Sequence, residues 1–356
     1  MYSFDASYTD QTLELLAFSE EISNQPTITE FTKVDLTGGQ EIEGAKMQIL
    51  DQEGKVVEEW VSKKEAHVVY ALAPGEYILH EEQAPTEQGY VRAEDVKFVV
   101  EETGDVQKVK MEDDHTKVSI SKTDITDGKE IEGAKLQVLD QDGEVVESWT
   151  TGEEHLIEYI PVGTYTLHEE AAIDGYIVAN DVEFTVEETG EIQKVKMEDE
   201  RAMGQLVIVK TDADSKAALE GVEFVLLEKE TGEEVGRLKT GKDGKAVSEL
   251  LPIGTYENGV FKEPITYVLK ETVTLKGYEK TEEEWEIVFT YQNDKTPVIE
   301  VVKEIQNKKI PETPGTVKPG PKTGDDTNWF LPLLALGVSA GMVAGLLYYR
   351  KRHKKA

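Results

Sequence analysis

The chain has 356 residues, no cysteine and a formal net charge of −34 at pH 7. This charge argues against nucleic acid and anionic membrane surfaces as partners, because their phosphates would be repelled. The lack of cysteine excludes disulfides and thiolate metal sites. A composition of 38% hydrophobic and 31% charged residues is typical of globular domains. Small extracellular domains are normally stabilised by a disulfide or a bound metal, so the sequence raises the question of what stabilises such domains here.

The first 26 residues contain no basic stretch followed by an apolar one, so they show no secretory signal. Ile22-Ser23-Asn24 stands before Lys33 much as Met111-Glu112-Asp113 stands before Lys122. We therefore expect residues 1–26 to be the last strand of a truncated preceding module. Asn24 would then be an acceptor whose partner lysine is missing.

An internal repeat of roughly 88 residues follows. Residues 41–60 return at 130–149 with 15 of 20 positions identical, and a more divergent third copy includes IVKTD at 208–212. Each copy consists of short runs rich in Val, Ile, Thr and Tyr, separated by Gly-containing turns, with no helical period. The pattern predicts an all-β chain of tandem antiparallel β-sandwich modules. Their predicted bounds are 27–115 for module one, 116–203 for module two and 204–310 for module three.

Each module places three polar side chains on the apolar face of its strands, because alternate residues of a strand share a face. The inward residues are Lys33, Glu81 and Asp113 in module one, Lys122, Glu169 and Asp199 in module two, and Lys210 and Glu271 in module three. A single inward charge would indicate a misread register or a side chain that reaches back to water. Three copies at matched spacing indicate instead that the charges meet and neutralise one another, since burying unpaired charges costs several kcal/mol.

Two interpretations of this cluster stand side by side. The first is a buried ion pair, which contributes little net stability. The second is chemical: burial lowers the pKa of a lysine and raises that of a carboxyl group, so a neutral amine faces an Asp or Asn carbonyl. The glutamate would shuttle protons while the amine attacks, and an intramolecular isopeptide bond would form. Such a bond would join the first and last strands and stabilise the module in place of a disulfide or a metal.

Several motifs recur in order and resemble the Cna B-type (SpaA-like, prealbumin-like) domains of Gram-positive adhesins and pilins. In module two they are Lys-Thr-Asp at 122–124, Glu-Gly-Ala-Lys at 132–135, Tyr-x-Leu-x-Glu at 165–169 and Gly-Tyr at 175–176. The resemblance covers residues 27–310. It departs from the family pattern before Gly-Tyr, where Ala-Pro survives only as Ala84-Pro85.

The resemblance implies that each module's lysine and last-strand acceptor form the isopeptide, with the glutamate as catalytic proton shuttle. The implied bonds join Lys33 to Asp113, Lys122 to Asp199 and Lys210 to Asn307, with Glu81, Glu169 and Glu271 as the shuttles. Asn307 is chosen over Asn293 because Ile305-Gln306-Asn307 matches Met111-Glu112-Asp113, whereas Asn293 lies in a predicted turn. In modules one and two the acceptor is an aspartate, so an unreacted ion pair with the lysine is the alternative to a bond there.

Other candidate residues carry weaker signals. His80 and His168 recur beside the key glutamates, but no second histidine stands at ligand spacing, so we expect no metal site and no cofactor. Trp60 and Trp149 are expected to pack in or against the cores. Asp140-Gln141-Asp142-Gly143 is typical of a hairpin turn rather than a calcium loop.

The C-terminal part of the chain has its own organisation. Residues 311–328 are a Pro-rich spacer, 329–349 are an uncharged stretch long enough for a transmembrane helix, and 350–356 are a basic tail expected on the cytoplasmic side. The order resembles an LPXTG-type sortase sorting signal with the motif Pro321, Lys322, Thr323 and Gly324. Gly320 stands where the common motif has Leu, which leaves the sortase class open. The alternative is a plain membrane-anchored protein.

These features together predict a Gram-positive cell-wall-anchored, extracellular stalk that projects an upstream head. Its expected partners are a sortase, peptidoglycan joined covalently through Thr323, and the membrane before sorting. In one alternative the modules themselves bind host matrix such as collagen, and in another they are the stalk of a wall-bound enzyme. A pilus shaft is less expected because no Tyr-Pro-Lys pilin motif is present. The chain itself is not expected to be an enzyme beyond the single turnover of isopeptide formation.

Overall fold

The computed structural model describes residues 25–311, which form three successive all-β modules. Among these residues no helix is long and apolar enough to cross a membrane. The predicted preceding strand with Asn24, the sorting motif and the predicted transmembrane segment lie outside the described residues.

Twenty-five strands make up the modules. Module one contains β1 (Ile28–Asp35), β2 (Lys46–Leu50), β3 (Val56–Val61), β4 (His67–Tyr70), β5 (Gly75–Gln83), a short 3-10 helix (Thr86–Gln88), β6 (Val96–Val100) and β7 (Val106–Asp113). Module two contains β8 (Lys117–Asp124), β9 (Lys135–Leu139), β10 (Val145–Thr150), β11 (His155–Glu158), β12 (Gly163–Ala171), β13 (Tyr176–Ile177), β14 (Val182–Val186) and β15 (Ile192–Arg201). Module three contains β16 (Met203–Asp212), β17 (Glu223–Glu228), β18 (Glu234–Lys239), β19 (Lys245–Val247), β20 (Leu251–Pro252), β21 (Gly254–Glu257), β22 (Val260–Pro264), β23 (Thr266–Val273), β24 (Glu284–Val288) and β25 (Val298–Asn307).

Two sheets face each other in each module. In module one the first sheet has the order β4-β1-β7 and the second β3-β2-β5-β6, and modules two and three repeat this division, with an additional two-stranded sheet of β21 and β22 in module three. Strand alternation turns Phe31 and Met111 of the first sheet toward Met47 and Leu79 of the second, and all four are buried. Fully burying one such side chain contributes about 1.5–3 kcal/mol. The core of each sandwich therefore lies between its two sheets.

The first and last strands of every module pair side by side and run parallel. β1 pairs with β7 from Ile28 opposite Val106 to Asp35 opposite Asp113, and the pairs β8–β15 and β16–β25 repeat the arrangement. Every other strand pairing within residues 25–311 is antiparallel. The predicted antiparallel sandwich therefore contains one parallel pair in each module, because the strands between the first and the last carry the chain back to where the first strand starts.

Consecutive modules are in direct contact. At the first joint the Tyr159 hydroxyl of module two donates to Asp35 of module one over 2.7 Å, and the His115 ring stacks on Tyr159 with 3.9 Å between centroids. At the second joint, Arg201 lies over the Tyr256 ring at 4.1 Å. β16 already begins at Met203, so the predicted boundary after residue 203 falls one residue inside that strand.

Gly89 lies at the first joint and accepts a hydrogen bond from the Thr116 amide over 2.8 Å. Its φ of 79° is left-handed, and a Cβ there would overlap the backbone of Tyr159. Gly54 has the same φ of 79° at an exposed hairpin turn, where a Cβ would meet nothing within 4 Å. The two glycines therefore separate backbone strain from contact between modules.

We expect Gly89→Ala to open the first joint and Gly54→Ala to leave it intact. Both variants carry the cost of a left-handed alanine, about 1–2 kcal/mol, but only Gly89→Ala displaces Tyr159. Amide hydrogen exchange at Thr116 and Val162, whose N–H groups donate across the joint to Gly89 and Thr86, measures the opening. Exchange should rise by roughly tenfold or more in Gly89→Ala alone. Equal exchange in the two variants would show that no close contact holds the joint.

Candidate functional site: a buried lysine cluster in each module

The structure brings the predicted inward residues together in every module. Each lysine lies on the first strand, each glutamate on the facing sheet, and each acceptor near the end of the last strand. The three clusters are Lys33–Glu81–Asp113, Lys122–Glu169–Asp199 and Lys210–Glu271–Asn307. All nine side chains are buried, with residue exposures of 3% or less. What these residues do chemically stays a prediction.

In module one, Lys33 Nζ donates to Asp113 Oδ1 and lies 2.9 Å from Glu81 Oε2. The same Glu81 oxygen accepts the backbone N–H of Ala93 over 2.8 Å. Module two repeats these contacts: Lys122 Nζ donates to Asp199 and lies 2.9 Å from Glu169. One ammonium group therefore faces two carboxyl groups in each of these modules.

The second oxygens of the two carboxyl groups receive no N–H donor from residues 25–311. Within that described range Glu81 Oε1 and Asp113 Oδ2 are both buried without a hydrogen-bond partner, as are the equivalent oxygens of Glu169 and Asp199. Burial raises the pKa of Asp113 to about 7; the Lys33 ammonium opposes this rise and the Glu81 carboxylate adds to it. Asp199 behaves in the same way, and burial raises its pKa to about 7. A single proton held between the two carboxyl groups would satisfy both open oxygens and make the cluster electrically neutral.

Module three has an amide in place of the second carboxyl group. Lys210 Nζ donates to Asn307 Oδ1 and to Glu271 Oε2, the latter over 2.9 Å. Asn307 Nδ2 donates to Glu271 Oε1 and to the Thr274 hydroxyl, each over 2.7 Å. Burial lowers the pKa of Lys210, although the Glu271 carboxylate opposes the shift. The centroid of the Phe224 ring lies 5.7 Å from Nζ.

The geometry suits condensation between amine and acceptor. Glu271 bridges the two reacting groups, with one oxygen on the lysine nitrogen and the other on the amide nitrogen that would leave. A proton that passes from Nζ to Glu271 makes the amine a nucleophile, and the same carboxyl group can return a proton to the leaving nitrogen. As a static ion pair the cluster would contribute little, because desolvation offsets the Coulombic gain.

Residues outside the clusters fall where their patterns suggest. Trp60 and Trp149 pack against the cores of modules one and two, each stacked on a histidine. His80 Nδ1 lies 2.7 Å from the Asp95 carboxylate, and His168 forms the same pair with Asp181. Asn293 lies in a turn, where its side-chain oxygen accepts the Lys295 N–H over 2.9 Å. The sortase motif lies outside the described residues.

Sequence reasoning missed two groups of residues. One is Thr274, which contacts the acceptor of module three. The other is the aspartate two residues after each cluster lysine: Asp35, Asp124 and Asp212 each accept a tyrosine hydroxyl from the Gly-Tyr motif of their own module. Burial alone would raise the pKa of Asp35, but hydrogen bonds from Gly38, Tyr159 and other donors outweigh it and lower the value. The recurrence of Lys-x-Asp and Gly-Tyr in each copy was the available signal.

Comparison with known protein families identifies the family of these modules. The family model described as SpaA, prealbumin-like fold domain, matches residues 27–115, 116–201 and 204–263, which together are more than half of the chain. The third match ends before Glu271 and Asn307. A comparison with curated proteins finds no match.

A comparison with solved structures finds similar chains. The Bacillus anthracis TIE protein is 27% identical with a TM-score of 0.54, and the match covers 80% of this chain and 51% of that one. The chain therefore spans about half the length of that protein. BcpA, the major pilin subunit of Bacillus cereus, is 15% identical with a TM-score of 0.45, and 80% and 100% of the two chains are covered. A streptococcal ancillary pilin is 15% identical with a TM-score of 0.33, over 81% and 100% of the chains.

The different acceptors predict different pH dependence for bond formation. Condensation in modules one and two needs the neutral cluster, in which the pKa of Asp113 and Asp199 is about 7. Above that pH the cluster loses a proton and the acceptor becomes a carboxylate, so the rate should fall about tenfold per pH unit. Asn307 does not titrate, so module three should not share this decline.

The measurement starts from full-length chain recovered unreacted in urea and diluted into buffers from about pH 5.5 to about 8.5. Quenched samples are digested, and the cross-linked peptides of the three modules are quantified by mass spectrometry. A common decline of all three modules above pH 7 would contradict the assignment to the aspartates.

Proposed function

Because the chain belongs to the SpaA family of prealbumin-like fold domains, we propose that it is a surface stalk whose modules are each closed by a lysine isopeptide bond. The bonds join Lys33 to Asp113, Lys122 to Asp199 and Lys210 to Asn307. One observation carries the proposal: in three modules a buried lysine, a buried glutamate and a buried acceptor meet between the first and last strands. A protein without cysteine has no disulfide to perform this closure.

Bond formation is written as a balanced condensation. Lysine Nζ forms a new C–N bond to Cγ of the acceptor, and the bond from Cγ to its hydroxyl or amide nitrogen breaks. Water leaves from Asp113 and Asp199, and ammonia leaves from Asn307. The lysine ammonium gives up two protons through the glutamate: one goes to solvent and leaves a neutral amine, and the other goes to the leaving group, so the glutamate ends unchanged.

The position of the bond suits a load-bearing stalk. Lys33 lies near the end of β1 and Asp113 is the last residue of β7, so tension entering at residue 28 passes through the bond and leaves at residue 113. The chain between the two residues is bypassed. Each module then transmits force without unfolding, as a spacer between a cell surface and a head would require.

The anchoring half of the proposal rests on the C-terminal sequence. Residues 329–349 and the basic tail would hold the chain in the membrane while a sortase cleaves between Thr323 and Gly324. Peptidoglycan would then be joined to Thr323. The stalk is proposed to be extracellular and to have no catalytic turnover of its own.

Intact mass of the full-length chain, made in a host without sortase, tests the bonds. Three bonds lower the mass below the value calculated from the sequence by about 18, 18 and 17 Da for two waters and one ammonia. We expect Glu81→Gln to abolish the loss of module one alone, because the shuttle is gone. Glu82→Gln is the matched control, since Glu82 is the next residue of β5 and is exposed.

Peptide mapping assigns each mass loss to its pair of residues. A wild-type chain at its unshifted mass would overturn the proposal, as would a Glu81→Gln chain that still carries the Lys33–Asp113 cross-link.

A further inference from the structure

Module three differs from the other two modules at two positions that contact each other. Its acceptor is Asn307 where modules one and two have Asp113 and Asp199. Three residues after its cluster glutamate stands Thr274, where the other modules have Ala84 and Ala172. The Thr274 hydroxyl accepts a hydrogen bond from Asn307 Nδ2 over 2.7 Å. The hydroxyl and the amide therefore occur together in this chain.

An amide acceptor needs orientation that a carboxylic acid does not. The two oxygens of an aspartic acid exchange roles by moving a proton, whereas the oxygen and nitrogen of an asparagine side chain differ chemically. In module three both hydrogens of Asn307 Nδ2 have acceptors, Glu271 Oε1 and Thr274 Oγ1, each at 2.7 Å. The amide oxygen is left to face Lys210 Nζ. A flipped amide would turn two N–H groups toward an amine and lose both of these bonds.

Thr274 is also the most exposed of the four residues in this group. Lys210, Glu271 and Asn307 are 3% exposed or less, whereas Thr274 is only partly buried. The amide nitrogen therefore lies between the buried carboxyl group and a side chain that reaches the surface. Ala84 in module one is 2% exposed and offers no hydrogen-bonding group at this place.

We propose that Thr274 is a positioning residue for isopeptide formation in module three, which holds the Asn307 amide with its nitrogen as the leaving group. The inference rests on the proposed function and adds a residue specific to amide acceptors. In the step it serves, the neutral Lys210 amine bonds to Asn307 Cγ, the Cγ–Nδ2 bond breaks, and Glu271 carries one proton from Nζ to Nδ2, so that ammonia leaves. Thr274 accepts a hydrogen bond from Nδ2 throughout and leaves the proton balance unchanged.

The test compares Thr274→Ala and Thr274→Ser with wild type, each as the full-length chain diluted unreacted from urea. The fraction of Lys210–Asn307 cross-linked peptide is followed with time, and the Lys33–Asp113 and Lys122–Asp199 peptides of the same molecules serve as internal clocks. We expect Thr274→Ala to slow module three about tenfold, the size of one lost hydrogen bond. Thr274→Ser should keep the wild-type rate, and the clocks should not change.

A second background separates positioning from a structural role. In Asn307→Asp the acceptor no longer needs a fixed orientation, so adding Thr274→Ala should leave the rate unchanged. A structural role would slow both backgrounds alike, and that result would overturn the inference, as would an unchanged rate in Thr274→Ala alone.

The inference and the proposed function fail differently. Absence of the Lys210–Asn307 cross-link from folded wild-type chain would refute bond formation in module three, and the inference with it. Its presence with no dependence on Thr274 would refute the inference alone.

Discussion

A lysine amine held out of water in the middle of each sandwich is the constraint on which the rest of the structure depends. Leaving such a charge unpaired would cost several kcal/mol, so Lys33 needs Glu81 from the facing sheet and Asp113 from the last strand at the same time. A shift of one residue in any of these strands would turn its polar side chain out of the cluster. The cluster therefore fixes strand register, and the apolar residues around it keep the dielectric low enough for the pKa shifts that its chemistry requires.

The parallel pairing of the first and last strands turns that chemical constraint into a mechanical one. Tension applied to the ends of a module pulls β1 and β7 in opposite directions along their shared edge, so their backbone hydrogen bonds share the load. The proposed bond sits on this same pair of strands. At the first joint, Asp35 accepts a hydrogen bond from the Tyr159 hydroxyl of module two. At the second joint, Arg201 lies over the Tyr256 ring, so each module contacts the next. A stalk that carries tension needs both a covalent closure within each module and contacts between neighbouring modules.

Much of the fold and most of each cluster could be predicted from sequence, because the repeat made weak signals recur. An inward lysine in a single strand is ambiguous, but matched spacing in three copies identifies the face, and the similarity of Ile305-Gln306 to Met111-Glu112 selected Asn307. The parallel direction of the first and last strands could not be predicted, since the alternation of apolar and polar residues along a strand does not show which strand lies beside it. Thr274 was missed because its partner lies 33 residues away and its equivalents are alanines. The Tyr159–Asp35 contact was missed because it joins two modules, 124 residues apart.

Stretching single full-length molecules by their ends tests the central claim most directly. The cluster lysines and acceptors are 80, 77 and 97 residues apart in the three modules. Closed by isopeptide bonds, these segments cannot extend, and the account predicts no unfolding steps from them. Without the bonds each module would release about 250 to 350 Å of chain, at about 3.3–3.6 Å per residue. Three such steps in the wild-type chain would contradict the account.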